Sequence, residues 1–136
     1  MSEHASIALL TPEQKYRQDL QQEGFSYDAA QEHAVSCLQA LYERLLIDVR
    51  NDSKKGMMLR LNGWLRPSQP SEPVCGLYFW GGVGRGKTYL MDNFYESLPF
   101  EQKMRTHFHR FMRRVHGELK QFSGEKNPLM KVADHI

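Results

Sequence analysis

Apolar residues return every three or four positions through most of this chain and give way once to an unbroken apolar run. The first periodic stretch opens on Thr11-Pro12-Glu13-Gln14. Thr11 suits an N-cap, Pro12 the first helical position, and Gln14 can reach back from the third. This predicts a helix to about Glu23, ended by Gly24. Asp28 is placed to cap a longer helix to about Arg50. Its stripe is Ala34, Val35, Leu38, Leu41, Leu45 and Val49, one apolar face at helical spacing, and Asn51-Asp52-Ser53 is its expected stop. Met57 to Leu65 reads as a short strand. The RPSQPSEP that follows carries prolines 67, 70 and 73, which cannot continue a helix or a central strand, so a linker or surface loop is expected there. A boundary near Glu72 then separates a helical N-terminal region and linker, residues 1–72, from residues 73–136.

Val74 to Trp80 (VCGLYFW) is nearly all apolar, as expected of a strand covered on both faces. Four glycines follow. Beyond them Leu90, Met91, Phe94, Tyr95 and Leu98 lie on one side of a predicted helix closed by Pro99. Lys103 to Phe108 reads as a second strand, and Phe111, Met112, Val115, Leu119 and Phe122 as the apolar face of another helix, ended by Ser123-Gly124. Asn127-Pro128 starts a last helix, with Leu129, Val132, Ala133 and Ile136 expected on its buried side. That pattern stops without a cap or a terminating glycine, as a cut chain would. Strand, loop, helix, strand gives an α/β class, a parallel sheet incomplete in this chain and preceded by a helical region.

The glycine cluster carries the chemistry. Gly81-Gly82-Val83-Gly84-Arg85-Gly86-Lys87-Thr88 fits G-x-x-x-x-G-K-[ST], the phosphate-binding loop called Walker A. A loop that wraps a phosphate must turn its backbone N–H groups inward, through dihedrals that side chains obstruct and glycine accepts. The helix after it adds unsatisfied N–H groups and a positive dipole end. Lys87 would set its ammonium against the β- and γ-phosphate oxygens of ATP, the catalytic role open to it. Thr88 would give its hydroxyl to Mg²⁺, which prefers hard oxygen ligands. Arg85 is expected to face solvent or a neighbouring subunit. A loop of this kind between an apolar strand and an amphipathic helix predicts nucleotide binding.

Bulk properties narrow the setting without naming a partner. At 136 residues and a net charge of +2, a single domain is expected and charge alone indicates neither nucleic acid nor membrane. Cys37 and Cys75 show no CxxC spacing and read as buried thiols of a reducing compartment. There is no run of the ~20 apolar residues a membrane span needs, and MSEHASIALLTPEQ lacks a basic segment of the secretory type, so a cytoplasmic protein is expected. His107, His109 and His116 lack partners at ligand-like spacing and read as hydrogen-bonded structural histidines. Lys103, Arg105, Arg110, Arg113, Arg114 and Lys120 could form a basic surface for nucleic acid, an acidic partner or anionic lipid, but they occupy positions the apolar stripe leaves free and read rather as a solvated face. After Thr88 no acidic residue closes a buried apolar run, so the second acidic motif of an NTPase, Walker B, has no counterpart. By themselves the 136 residues are expected to bind nucleotide weakly and not to turn it over.

GLYFWGGVGRGKTYLMDNFYESLP (Gly76 to Pro99) followed by KMRTHFHRFMRRVHGELK (Lys103 to Lys120) resembles the ZapE family of cell-division ATPases, bacterial relatives of the mitochondrial Afg-type AAA+ proteins. TPEQKYRQDL, AQEHAVSCLQALYERL and NPLMKVADHI resemble that family too, so the likeness runs from about Thr11 to Ile136. It implies an AAA+-like P-loop NTPase that uses Mg²⁺ and ATP, acts on polymers of the division protein FtsZ, and assembles as an oligomer. Peripheral contact with a membrane is compatible with it. Gly81 through Thr88 match the family's phosphate loop, whereas its Walker B, sensor and arginine-finger residues have no match here. Read from the loop alone, three other classes stay open: a small-molecule kinase, a nucleotide-binding adaptor, and a DnaC-like loader that would bind single-stranded DNA.

Overall fold

A computed structural model describes residues 9–61 and 72–136. Five helices are present among them: α1 (Pro12–Asp19), α2 (Ala29–Leu61), α3 (Lys87–Ser97), α4 (Phe108–Gln121) and α5 (Pro128–His135). Residues 1–101 and 102–136 form two compact units.

In the first unit, α1 begins as its sequence demands. The Thr11 hydroxyl accepts from the Gln14 backbone N–H at 3.3 Å, and the Gln14 side chain accepts from the Thr11 N–H at 3.0 Å. This reciprocal cap satisfies two N–H groups that the helix cannot. The helix ends at Asp19, short of the expected Glu23, and turns lead on to Gly24, whose φ of +88° suits a residue without Cβ. Asp28 then caps α2 as expected, its carboxylate accepting from the Ala30 N–H at 2.8 Å.

Tyr16 of α1, Val35 and Leu38 of α2 and Leu90 of α3 form the buried core, with Leu20, Phe25, Tyr89 and Phe94 packed against it. Phe25 meets Tyr16 and Tyr89 edge-on, with ring centroids 6.1 and 5.1 Å away. Each large apolar side chain so covered contributes roughly 1.5–3 kcal/mol relative to leaving it in water. Polar contacts fix the register. The Tyr89 hydroxyl donates to Asp19 at 2.5 Å. Burial, and then that bond, hold the phenol well above its ordinary pKa. Lys15 pairs with Glu96 across α1 and α3.

Several expectations are corrected. The Asn51-Asp52-Ser53 stop does not act, because α2 continues to Leu61, and Met57 to Leu61 is helix where a strand was expected. Polar residues in a helix interior lower its propensity without ending it, since only glycine and proline impose a large cost. The remainder of that predicted strand and most of the proline-rich linker lie outside the described residues. The stripe holds at Val35, Leu38 and Leu41, while Val49 is exposed.

The parallel sheet is not seen, and there is no strand among the described residues. Val74 to Trp80 has no regular secondary structure: Phe79 packs on the core, but Tyr78 and Trp80 are 86% and 84% exposed. A strand exists by virtue of a hydrogen-bonded neighbour, and an apolar run without one stays irregular. Lys103 to Thr106 is likewise irregular, and Phe108 begins α4. Cys75 is exposed, not buried, because it lies on that uncovered run, and Cys37 is half-buried; both are free thiols.

In the second unit α4 and α5 pack together. Asn127 and Pro128 start α5 as predicted. Val132 is buried, yet Leu129, Ala133 and Ile136 are exposed against expectation. Two short helices offer each other only a narrow contact, so one stripe of α5 is covered and its flanks are not. Glu118, buried on α4, accepts from Arg114 Nε at 3.0 Å and lies 2.7 Å from His135 Nδ1. The His135 and Arg114 contacts hold its carboxyl below the usual value. Arg110, Arg113 and Lys120 are exposed, with Phe111, Val115 and Leu119 half-buried beneath them.

Candidate functional site

The loop 81–88 joins Trp80 to the first turn of α3. Gly84 and Gly86 have φ of +79° and +83°, a region where an ordinary side chain costs about 1–2 kcal/mol. Gly86 is the N-cap of α3, so no side chain caps the helix, and its first turn carries no acidic residue. The N–H groups at this end therefore have neither a capping oxygen nor a carboxylate to satisfy them, which is the condition for holding an anion. Val83 stands fully exposed at the loop's tip.

Lys87, the first residue of α3, folds back along the loop. Its ammonium donates to the carbonyl oxygens of Gly81 at 2.8 Å and Gly82 at 2.6 Å. Among the described residues it makes no ion pair, so its charge is held by neutral oxygens alone. Thr88 follows in the same turn with its side chain exposed. Arg85 does not simply face solvent, as its position in the motif suggested. Its guanidinium reaches Asp28 at 3.7 Å, although its side chain stays largely exposed.

A cleft of about 520 Å³ lies beside the loop, between Asp28, Gln31, Ala34 and Cys37 on one wall and Phe79 and Lys87 on the other. That volume falls within the ~300–1,000 Å³ typical of small-molecule sites. Asp28 and Gln31 were missed as site residues by sequence reasoning. Gln31 Nε2 donates to the Arg85 carbonyl at 3.2 Å, a contact across 54 residues that no local pattern announces. Among the described residues no group of three or more His, Cys, Asp or Glu is placed to hold a metal ion. His107 stands at the N-cap position of α4 without a side-chain cap hydrogen bond, and its ring stacks on that of His109 with centroids 5.8 Å apart.

The residues fit a nucleotide triphosphate with its cation. The uncapped N–H groups and the unpaired Lys87 suit the phosphates. The single exposed hydroxyl of Thr88 suits Mg²⁺, which takes few protein ligands when phosphates supply the rest.

A glycine loop of this form opening a helix is the mark of the P-loop NTPases, and the sequence profile of the AFG1-like ATPases matches residues 10–136. The chain belongs to the AFG1-like ATPase family, a family of P-loop ATPases. It is 45% identical over 130 residues to the cell division protein ZapE of Escherichia coli K12, covering 93% of this chain and 35% of ZapE. It is 31% identical over 128 residues to an uncharacterized protein of Schizosaccharomyces pombe, covering 78% of this chain and 28% of that protein. It is also 47% identical over 49 residues to lactation elevated protein 1 homolog B of Danio rerio, covering 36% of this chain and 10% of that protein. The chain thus spans about a third of the length of the first two relatives. No solved structure matches it significantly. No helix among the described residues is long and apolar enough to cross a membrane.

Proposed function

We propose that residues 81–88 bind the triphosphate of ATP, and that this chain is the nucleotide-binding portion of a ZapE-like ATPase serving cell division in the cytoplasm. On that reading residues 73–136 are the first part of the nucleotide domain and residues 1–72 a helical region with its linker. The observation that carries the proposal is the Lys87 ammonium, lying over the loop on two carbonyls with no carboxylate among the described residues to neutralise it.

Binding exchanges those carbonyls for phosphate oxygens. Phosphate oxygens carry the negative charge that the carbonyls lack, so Lys87 gains a Coulombic attraction by the exchange. The backbone N–H groups from Gly82 to Thr88 turn toward the phosphates, and the end of α3 adds its partial positive charge. Thr88 would hold a Mg²⁺ ion through its hydroxyl, and that ion would neutralise phosphate charge. Lys87 holds the charge that grows on the phosphates as water attacks. The acid that orients that water is not supplied by these residues, so hydrolysis belongs to the whole protein. The family likeness extends the proposal to FtsZ polymers as the target and to an oligomer in which neighbouring subunits complete the site.

Calorimetry with Mg²⁺-ATP tests the binding reading, with Lys87→Ala as the control. Hydrolysis by the 136 residues is expected to stay at the level of that variant; clear turnover above it contradicts this part.

A further inference from the structure

We infer that Gln31 is a positioning residue for the phosphate loop: it pins the peptide between Arg85 and Gly86 from outside, so that the Gly86 N–H is presented to a bound triphosphate. The inference rests on the reading of residues 81–88 as a phosphate site and adds to it a residue from the far side of the sequence.

The geometry begins with one hydrogen bond. Gln31 Nε2, in the first turn of α2, donates to the Arg85 carbonyl at 3.2 Å. The side-chain amide can take only this orientation, because its oxygen would face another acceptor. A trans peptide is planar, with its C=O and the following N–H pointing opposite ways. Holding the Arg85 carbonyl toward α2 therefore turns the Gly86 N–H away from α2. Gly86 is the N-cap of α3, where an inward N–H joins those of the first turn.

Two further observations point to a built contact. A Cβ at Gly86 would lie 2.4 Å from Gln31 Nε2, so the close approach exists only because residue 86 is glycine. Asp28, three residues before Gln31, reaches the guanidinium of the same Arg85 at 3.7 Å. The entry to α2 thus holds both the backbone and the side chain of one loop residue. A loop so fixed loses less freedom when phosphate arrives. Gln31 Oε1 is buried and lacks a partner among the described residues, which leaves one competing role: accepting an N–H from the nucleotide base.

The test compares the wild-type chain with Gln31→Met and the isosteric Gln31→Glu, titrated with Mg²⁺-ATP and, separately, with inorganic triphosphate, which has no base. The Gly86 amide signal is followed by NMR. Loss of the positioning bond, and with it of the Gly86 N–H aimed at the phosphate, is expected to weaken both ligands by about tenfold, the low end for one hydrogen bond to a charged group. In the wild type, triphosphate should shift the Gly86 amide strongly downfield, and in Gln31→Met that shift should shrink. Unchanged triphosphate affinity with an unchanged Gly86 shift overturns the inference and leaves the phosphate site standing. Weakened ATP with unchanged triphosphate also overturns it and assigns Gln31 to the base. A wild-type chain that binds neither ligand instead sinks the underlying reading of the loop.

Discussion

Asn93, buried on α3, donates its side-chain amide to the carbonyl of Pro12 in the first turn of α1, 3.2 Å away and 81 residues earlier in the chain. Ser97, one turn on and equally buried, donates its hydroxyl to the Asn93 carbonyl at 2.7 Å. The helix that opens at the phosphate loop is thus tied to the first helix by a polar contact sealed from water. Asn93→Ala leaves the Pro12 carbonyl buried without that donor, at a cost of about 1–3 kcal/mol. Urea unfolding should show the loss, while Asn93→Ser, with a smaller donor, should recover part of it.

Gly86 is constrained twice, by its φ of +83° and by Gln31 against its α-carbon. Gly86→Ala is expected to lower stability by about 1–2 kcal/mol from backbone strain alone. Gly82, with open space around its α-carbon, is the comparison. Gly82→Ala should unfold within ~0.5 kcal/mol of the wild type, as surface substitutions generally do. Thermal and urea unfolding of the two variants measure the difference.

In the second unit, His135 and Arg114 lower the pKa of Glu118 below its ordinary value of 4.5. A carboxyl more acidic in the folded state binds fewer protons there than in the unfolded state, so stability rises with pH through this range. The contribution is complete above the ordinary value and is lost as pH falls through the lowered one. Acid unfolding followed on the α4–α5 unit should show this dependence, and Glu118→Gln should flatten it. An unaltered acid profile in that variant would contradict the assignment.

The legible parts of the chain were those written in local chemistry. Thr11 with Gln14, Asp28 ahead of α2, Asn127-Pro128 ahead of α5 and the glycines ahead of Lys87 each act through residues a few positions away, and each begins an element where expected. The family likeness, visible in HFHRFMRRVH and the loop beside it, agrees with membership of the AFG1-like ATPases. What could not be read depends on distant neighbours. The apolar run Val74 to Trp80 announces a strand only if something pairs with it, and among the described residues nothing does. Leu90, Met91, Phe94, Tyr95 and Leu98 are the expected apolar side of α3, yet Met91 is exposed while Asn93 is buried, because α1 offers a carbonyl for it. Gln31 carries no signature at all, since its partner, the Arg85 carbonyl, is common to every residue type.

The central claim is that the loop ending in Lys87 and Thr88 holds a triphosphate, and calorimetric titration of Mg²⁺-ATP into the wild-type chain and Lys87→Ala tests it most directly. A hydrogen-bonded charge of this kind is worth about 1.5–3 kcal/mol, so the variant should bind roughly 10- to 150-fold more weakly. Equal affinity in the two proteins, or no binding by the wild type, would contradict the account.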